Sequence, residues 1–221
     1  MFPDWLKTAY LSALNPHHSP IIQPSIAKGL VHGFVYNPDG SLDQTSQVPN
    51  LVTYSGDNDV AYRFTRVTES ASVYKSMSLG DDVTPGAADK NDDLNSLQSI
   101  ITNSQRNLFP EGHVDVLPVL PQPPMFPALI SDVRTSDSDI EVVYQQMVNS
   151  QSGFIPADIG RTFVWKWLWD GDDFANTNIS EAAIHNGSNV FSHFLFSPVL
   201  SKSNVQTLKI LVFHTIKGGG L

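Results

Sequence analysis

The 221-residue chain contains no cysteine. Disulfides, thiolate metal sites and a cysteine nucleophile are therefore excluded, and packing and assembly must hold the fold together. Charge is also scarce, at 16% of residues against roughly 25% in an average soluble domain. The basic side is the poorer one: 13 Lys and Arg face 22 Asp and Glu, giving a net charge of −9. No Lys/Arg cluster occurs, so the basic stripe of a nucleic-acid-binding protein is missing and no direct nucleic-acid partner is expected. No apolar run approaches the ~18–20 residues that span a bilayer, so no membrane partner is expected either. Met1-Phe2-Pro3-Asp4-Trp5 lacks the basic and apolar regions of a signal peptide, which predicts a protein made in the cytoplasm. There is no P-loop, dinucleotide-binding glycine motif, G-x-S-x-G elbow or H-E-x-x-H pair. Enzymatic activity and a cofactor are not expected.

What the chain does have is β-pattern. In Thr162–Trp169, alternation puts Phe163, Trp165, Trp167 and Trp169 on one face of a strand. Four large aromatics in a row need a second sheet or a partner subunit to cover them. Further strands are predicted over 179–185, 190–196 and 207–217. The last is apolar on both faces, which predicts a sandwich interior on one side and an intersubunit contact on the other. The fold class expected is all-β, a jelly-roll-like or Ig-like β-sandwich with one or two short helices and extended arms.

The organisation expected is an N-terminal helix and irregular arm over 1–57, then the sandwich over 58–221. Residues 3–14 read as a short amphipathic helix whose Trp5 and Tyr10 dock on another surface. Strands are predicted over 29–36, 60–67, 73–79 and 139–147, and a turn at Asn37-Pro38-Asp39-Gly40. A second helix is expected after Asp92 or Asp93, with Leu94, Leu97, Ile100 and Ile101 on one face. The proline-rich segment 109–127 reads as extended chain.

Candidate chemistry has to be weighed against ordinary structure. Asp170-Gly171-Asp172-Asp173 and Asp57-Asn58-Asp59 offer oxygen ligands for a hard cation, but Asp and Gly are also ordinary turn residues and no EF-hand loop is present. His185 and His193 can face each other across the Asn186-Gly187 turn as a metal pair, or be part-buried histidines of no special role. No metal is expected. Glu181 shares a face with Ile179, Ala183 and His185. If buried beside the tryptophans it needs a partner such as Arg161, Lys166 or a neighbour's basic residue; the alternative is a solvated Glu on a sheet face. The tryptophan row itself is read as core, with a sugar-stacking platform as the alternative.

Two stretches resemble a pattern of structural proteins in tailed bacteriophages. Gly80-Asp81-Asp82-Val83-Thr84-Pro85 followed by Asp93-Leu94 is similar to a "G-x-G-x-T-x-P, short gap, D-x-x-L" loop and helix. Ile179-Ser180-Glu181-Ala182-Ala183-Ile184, then Phe196-Ser197-Pro198-Val199 with Lys202, then 208–216, is similar to the "I-x-E-x-G-L/I, F-x-P-I-x-K, L-x-I-x-W-x-I" strand series of the same proteins. Asp82 and Ala183 depart from it, standing where the pattern has glycine. The resemblance implies a non-enzymatic structural component of a tailed-phage virion, a homo-oligomer docking on capsid, neck or tail as a decoration, cement or connector-type protein. Its localisation would be the virion. The other function carried forward is a carbohydrate- or receptor-binding module of a tail fibre or tail tip.

Overall fold

In the computed structural model the described residues are 26–58, 74–82, 86–108, 127–149, 156–174 and 177–216. The expected helix over 3–14 with Trp5 and Tyr10, the strand over 60–67 and the proline-rich stretch up to Phe126 lie outside them. The strands are β1 (Ile26–Tyr36), β2 (Leu42–Val52), β3 (Ser76–Gly80), β4 (Arg106–Asn107), β5 (Ala128–Leu129), β6 (Thr162–Trp169), β7 (Thr177–His185), β8 (Val190–Lys202) and β9 (Thr207–Ile216). Two helices, α1 (Ile130–Val133) and α2 (Ser138–Asn149), separate β5 from β6. All strand pairs are antiparallel, in the order β4-β3-β7-β8-β2-β1-β9-β6-β5. The fold is all-β with short helices, as the alternation predicts.

The sheet bends over upon itself at β2. Most of β2 pairs with β1, and only its end, Leu51 and Val52, pairs with His193 and Ser192 of β8. At the other end of the opening, the Gln44 side chain bonds both the N–H (3.0 Å) and the C=O (3.1 Å) of Ser201 as a strand partner would. Two layers result, β1-β9-β6 and β3-β7-β8, facing each other. A Cβ on Gly33 of β1 would lie 2.4 Å from Leu200 of β8, so only glycine lets the layers close there. The described part of 1–57 is no arm. β1 and β2 lie inside the sheet, joined along β1 to β9 and at the end of β2 to β8, across the expected boundary at 57.

The tryptophan row is the inner face of β6. Trp167 and Trp169 are wholly buried, and their indole N–H groups donate to the backbone carbonyls of Lys75 (3.1 Å) and Ser104 (2.7 Å) in the opposite layer. Trp165 is half-buried, its ring stacked 5.2 Å from Phe191 of β8. Large rings with satisfied polar tips are what an aromatic core requires. A sugar platform needs exposed rings, so Trp167 and Trp169 cannot serve as one.

Strand β9 is buried on both faces, from Leu208 to Phe213, as expected, but the cover is different from that expected. The face opposite the tryptophans carries Lys209, Leu211 and Phe213, paired with Leu168, Lys166 and Val164. The chain's own helices, through Ile130, Val133, Ile140, Val143 and Met147, join this core. No second subunit is needed.

Helix α2 corrects the strand expected over 139–147. Ile140, Val142 and Tyr144 alternate, yet Ile140, Val143 and Met147 are the buried residues, at helical spacing, while Val142 is half exposed. Asp139 and Glu141 occupy its first turn, and Gln145 donates to Glu141 one turn back (2.7 Å). The helix expected after Asp93 is also corrected. Asp93 does cap it, in a reciprocal box with Ser96, but only one 3-10 turn (Leu94–Ser96) forms. Ser99 and Asn103 then adopt positive φ (49° and 63°), turning the chain so that Leu97 and Ile101 are buried and Ile100 is exposed.

Candidate functional site

Two groups of buried and part-buried charged residues stand out, one on each outer face of the folded sheet. The first fastens the helices. Asp137, just before α2, accepts from Lys166 of β6 (2.7 Å) and Lys209 of β9 (3.4 Å), and Asp139 pairs with Lys209. Burial works against ionisation of Asp137, but the Lys166 hydrogen bond and the Lys209 charge hold its carboxyl below the usual range. Tyr36 closes the group; burial, then its hydrogen bond to Asp139, pushes its pKa up.

The second cluster lies between β7, β8 and the segment 86–101. Parity puts Ala182 and Ile184 into the main core, whereas Ala183 faces the other way and packs with Leu97, Val190 and Leu94. Glu181 shares the face of Ala183. It is therefore not beside the tryptophans, and Arg161 and Lys166 are bound to Asp158 and Asp137 instead. Its partners are the Gln98 backbone N–H, which donates to Oε1 (2.8 Å), and His193, whose Nε2–H donates to Oε2 (2.9 Å). The other His193 nitrogen, Nδ1, donates to Asp92 Oδ2 (2.6 Å). A ring flanked by two carboxylates needs both N–H groups, hence the cationic form. Burial opposes that charge, but the bonds to Glu181 and Asp92 prevail and raise the His193 pKa.

Neighbouring His185 has the opposite character. Its Nδ1 accepts from the Gly187 N–H (3.1 Å), so Nε2 carries the proton and donates to Ser78 Oγ (2.9 Å). Burial lowers its pKa. A serine nucleophile would need this nitrogen as an acceptor, so the Ser78–His185 contact is wired the wrong way for catalysis. The His185–His193 metal pair weighed against ordinary part-buried histidines does not form either. His185 lies opposite Val190 and His193 opposite Ala183, and each ring is already committed. Among the described residues no three His, Asp or Glu side chains are placed to hold a metal ion.

The acidic turns resolve into ordinary structure as well. Asp173 accepts from the Asp170 N–H (2.6 Å) and pairs with Arg106. The carbonyls that a cation would use are taken by Lys202, whose Nζ donates to Gly171 and Phe174 (2.9 Å each) and to Ser203 (3.3 Å). Asp57 pairs with Lys90 (2.6 Å), and Asp59 lies outside the described residues.

Two residues of the phage pattern, Gly80 and Glu181, thus meet in space although about a hundred positions separate them. Gly80 pairs with Glu181, and a Cβ there would lie 2.6 Å from both Glu181 Oε1 and the Gln98 carbonyl. Lys202 ties the end of β8 to the 170–174 turn. Sequence reasoning missed His193 and Asp92 as partners of Glu181. Hairpin parity puts 181 and 193 on one face, which was a usable signal; Asp92 had none. Comparison with protein-family models, with characterised proteins and with solved structures finds no match for this chain.

Proposed function

We propose that this protein is a non-enzymatic structural component of a tailed-phage virion. It would assemble by self-association and dock on capsid, neck or tail as a decoration, cement or connector-type protein. One observation carries this reading: Gly80, Glu181 and Lys202, which resemble the virion pattern, are spent on holding the fold together. Gly80 makes room for the Glu181 carboxylate, Glu181 holds the Gln98 N–H, and Lys202 locks a turn. A pattern whose residues build a fold belongs with proteins selected for shape and attachment. The described histidines and carboxylates of the two clusters are likewise engaged in fastening elements. Partners would be further copies of the chain and other virion proteins, with neither nucleic acid, membrane nor cofactor. Many equivalent weak contacts in a symmetric particle sum to a stable assembly.

The test is immunogold labelling of purified particles, combined with mass spectrometry of their proteins. Label over the head means decoration or cement, and label at one vertex or the tail means a neck or tail part. Absence from particles by both methods ends the virion reading.

A further inference from the structure

At its Asp92 end the segment 86–101 covers the outer face of β7 and β8 with little apolar area, Leu97, with Leu94 beside it, on Ala183 and Val190, whereas Ile101 at the other end is buried in the main core. Its further attachments include backbone bonds, such as Ile101 N–H to Leu79 O (2.9 Å) and Tyr54 N–H to Lys90 O (2.8 Å), and the exposed Lys90–Asp57 pair. The one charged and mostly buried attachment is Asp92–His193–Glu181. We propose that this relay is a pH-operated clasp, in which the imidazolium holds the Asp92 end of the segment down and loss of its ring proton lets that end lift, uncovering Leu94, Leu97 and Val190.

Geometry decides which end lifts. A neutral ring keeps one N–H and turns a lone pair to the other carboxylate. Glu181 is fully buried, whereas the Asp92 side chain retains 12% of its surface and can take water instead. The remaining proton therefore stays on Nε2, facing Glu181, which also keeps the Gln98 N–H. Asp92 is left 2.6 Å from a lone pair and departs. The raised pKa of His193 agrees with a ring held cationic by both neighbours.

The surrounding groups do not supply a rival switch. From the covering segment Asp92 bears on the ring directly, while Asp89 and Asp93 bond their own segment's N–H groups and Lys90 is paired with Asp57. β7 contributes Glu181 and His185, the latter pushed towards neutrality by burial. β3 and the paired end of β2 (Leu51, Val52) carry no ionisable side chain.

The experiment uses the full chain: hydrogen-exchange protection of the amides over 94–97, corrected for intrinsic exchange, from pH 6 to 10, with the amides of Gln98 and Ile101 as the end that stays attached and His193 followed by ring nitrogen resonances. Protection should fall with the same midpoint as ring deprotonation. The fall should be about tenfold for each unit by which the ring's pKa in the closed state exceeds that in the open one. Asp92→Asn is the deciding variant, because an amide N–H can donate to the neutral ring's lone pair. It should keep the segment protected at high pH while the wild type opens. The clasp is overturned if protection is flat through the His193 titration, or if Asp92→Asn opens over the same pH range as the wild type.

Discussion

Each outer face of the folded sheet has a cover, and the two covers are held by different chemistry. Over β9 and β6 the cover is a regular helix, α2, with three buried apolar residues and two lysines on Asp137 and Asp139. Over β7 and β8 it is an irregular strap with one 3-10 turn, a small apolar contact and a histidine between two acids. The helix cover is held by lysine–aspartate pairs and apolar burial. The strap's buried relay has a histidine at its centre, a side chain that changes charge near neutral pH, and in the proposed clasp this makes it the attachment that responds.

The largest effect expected is on the helix side. Asp137→Ala removes the acid shared by Lys166 and Lys209 in a mostly buried setting, leaving Lys209 its pair with Asp139, and should cost about 3 kcal/mol by urea denaturation. Hydrogen exchange over 94–101 should not change, and if it does the two covers are not independent. His193→Gln should cost about 2 kcal/mol at pH 6, since two charge-assisted bonds are weakened. The folded pKa of His193 is raised, so its contribution is complete below about pH 6.5 and is lost as pH rises through the folded value. The cost of His193→Gln should therefore shrink towards alkaline pH while that of Asp137→Ala stays level. Equal pH profiles for the two would erase the distinction.

Acid should act in the opposite sense and chiefly on the β9 side. His32 lies on β1, stacked on Phe34 and edge-on to Phe213 with Nε2 unpartnered, and His214 lies against Trp165 and Phe191; burial pushes both pKa values down to about 4. The unfolded chain takes up protons near pH 6.5 that these buried rings refuse. Stability should thus fall from pH 6.5 towards about 4, by about 1.4 kcal/mol per pH unit for each ring. His32→Phe should remove one ring's share of that slope. The smallest effect belongs to Val142, half exposed on α2, where Val142→Lys should change stability by no more than about 0.5 kcal/mol. A strand at this site, with Val142 facing the core, would give a far larger loss.

The strands were readable where one period dominates. Thr162–Trp169 has β-branched and aromatic residues in strict alternation and forms the strand predicted, while β7 begins two residues earlier and β8 runs on to Lys202; β9 follows its prediction as far as Ile216, where the described residues end. Segment 139–147 failed because Ile140, Val142, Val143, Tyr144 and Met147 fit both periods, and β-branched residues tilted the choice towards strand. The helix prevails through its acidic first turn and through the sheet face it covers, a long-range fact absent from the local pattern. Glu181 showed that it would need a partner if buried, but not which one. His193 joins it through a hairpin with register shifts, and Asp92 through a contact across 101 positions. Tertiary charge pairs of that span have no local signature.

The indole row has an optical consequence. The Trp165 and Trp167 rings lie 5.9 Å apart and tilted by 49°, close enough for their transitions to mix and give a signed couplet in circular dichroism. Trp165 also rests on Phe191 from the facing layer, so any parting of the layers would change the asymmetry those chromophores sense. The molecule therefore reports, without a label, on the spacing between its two layers.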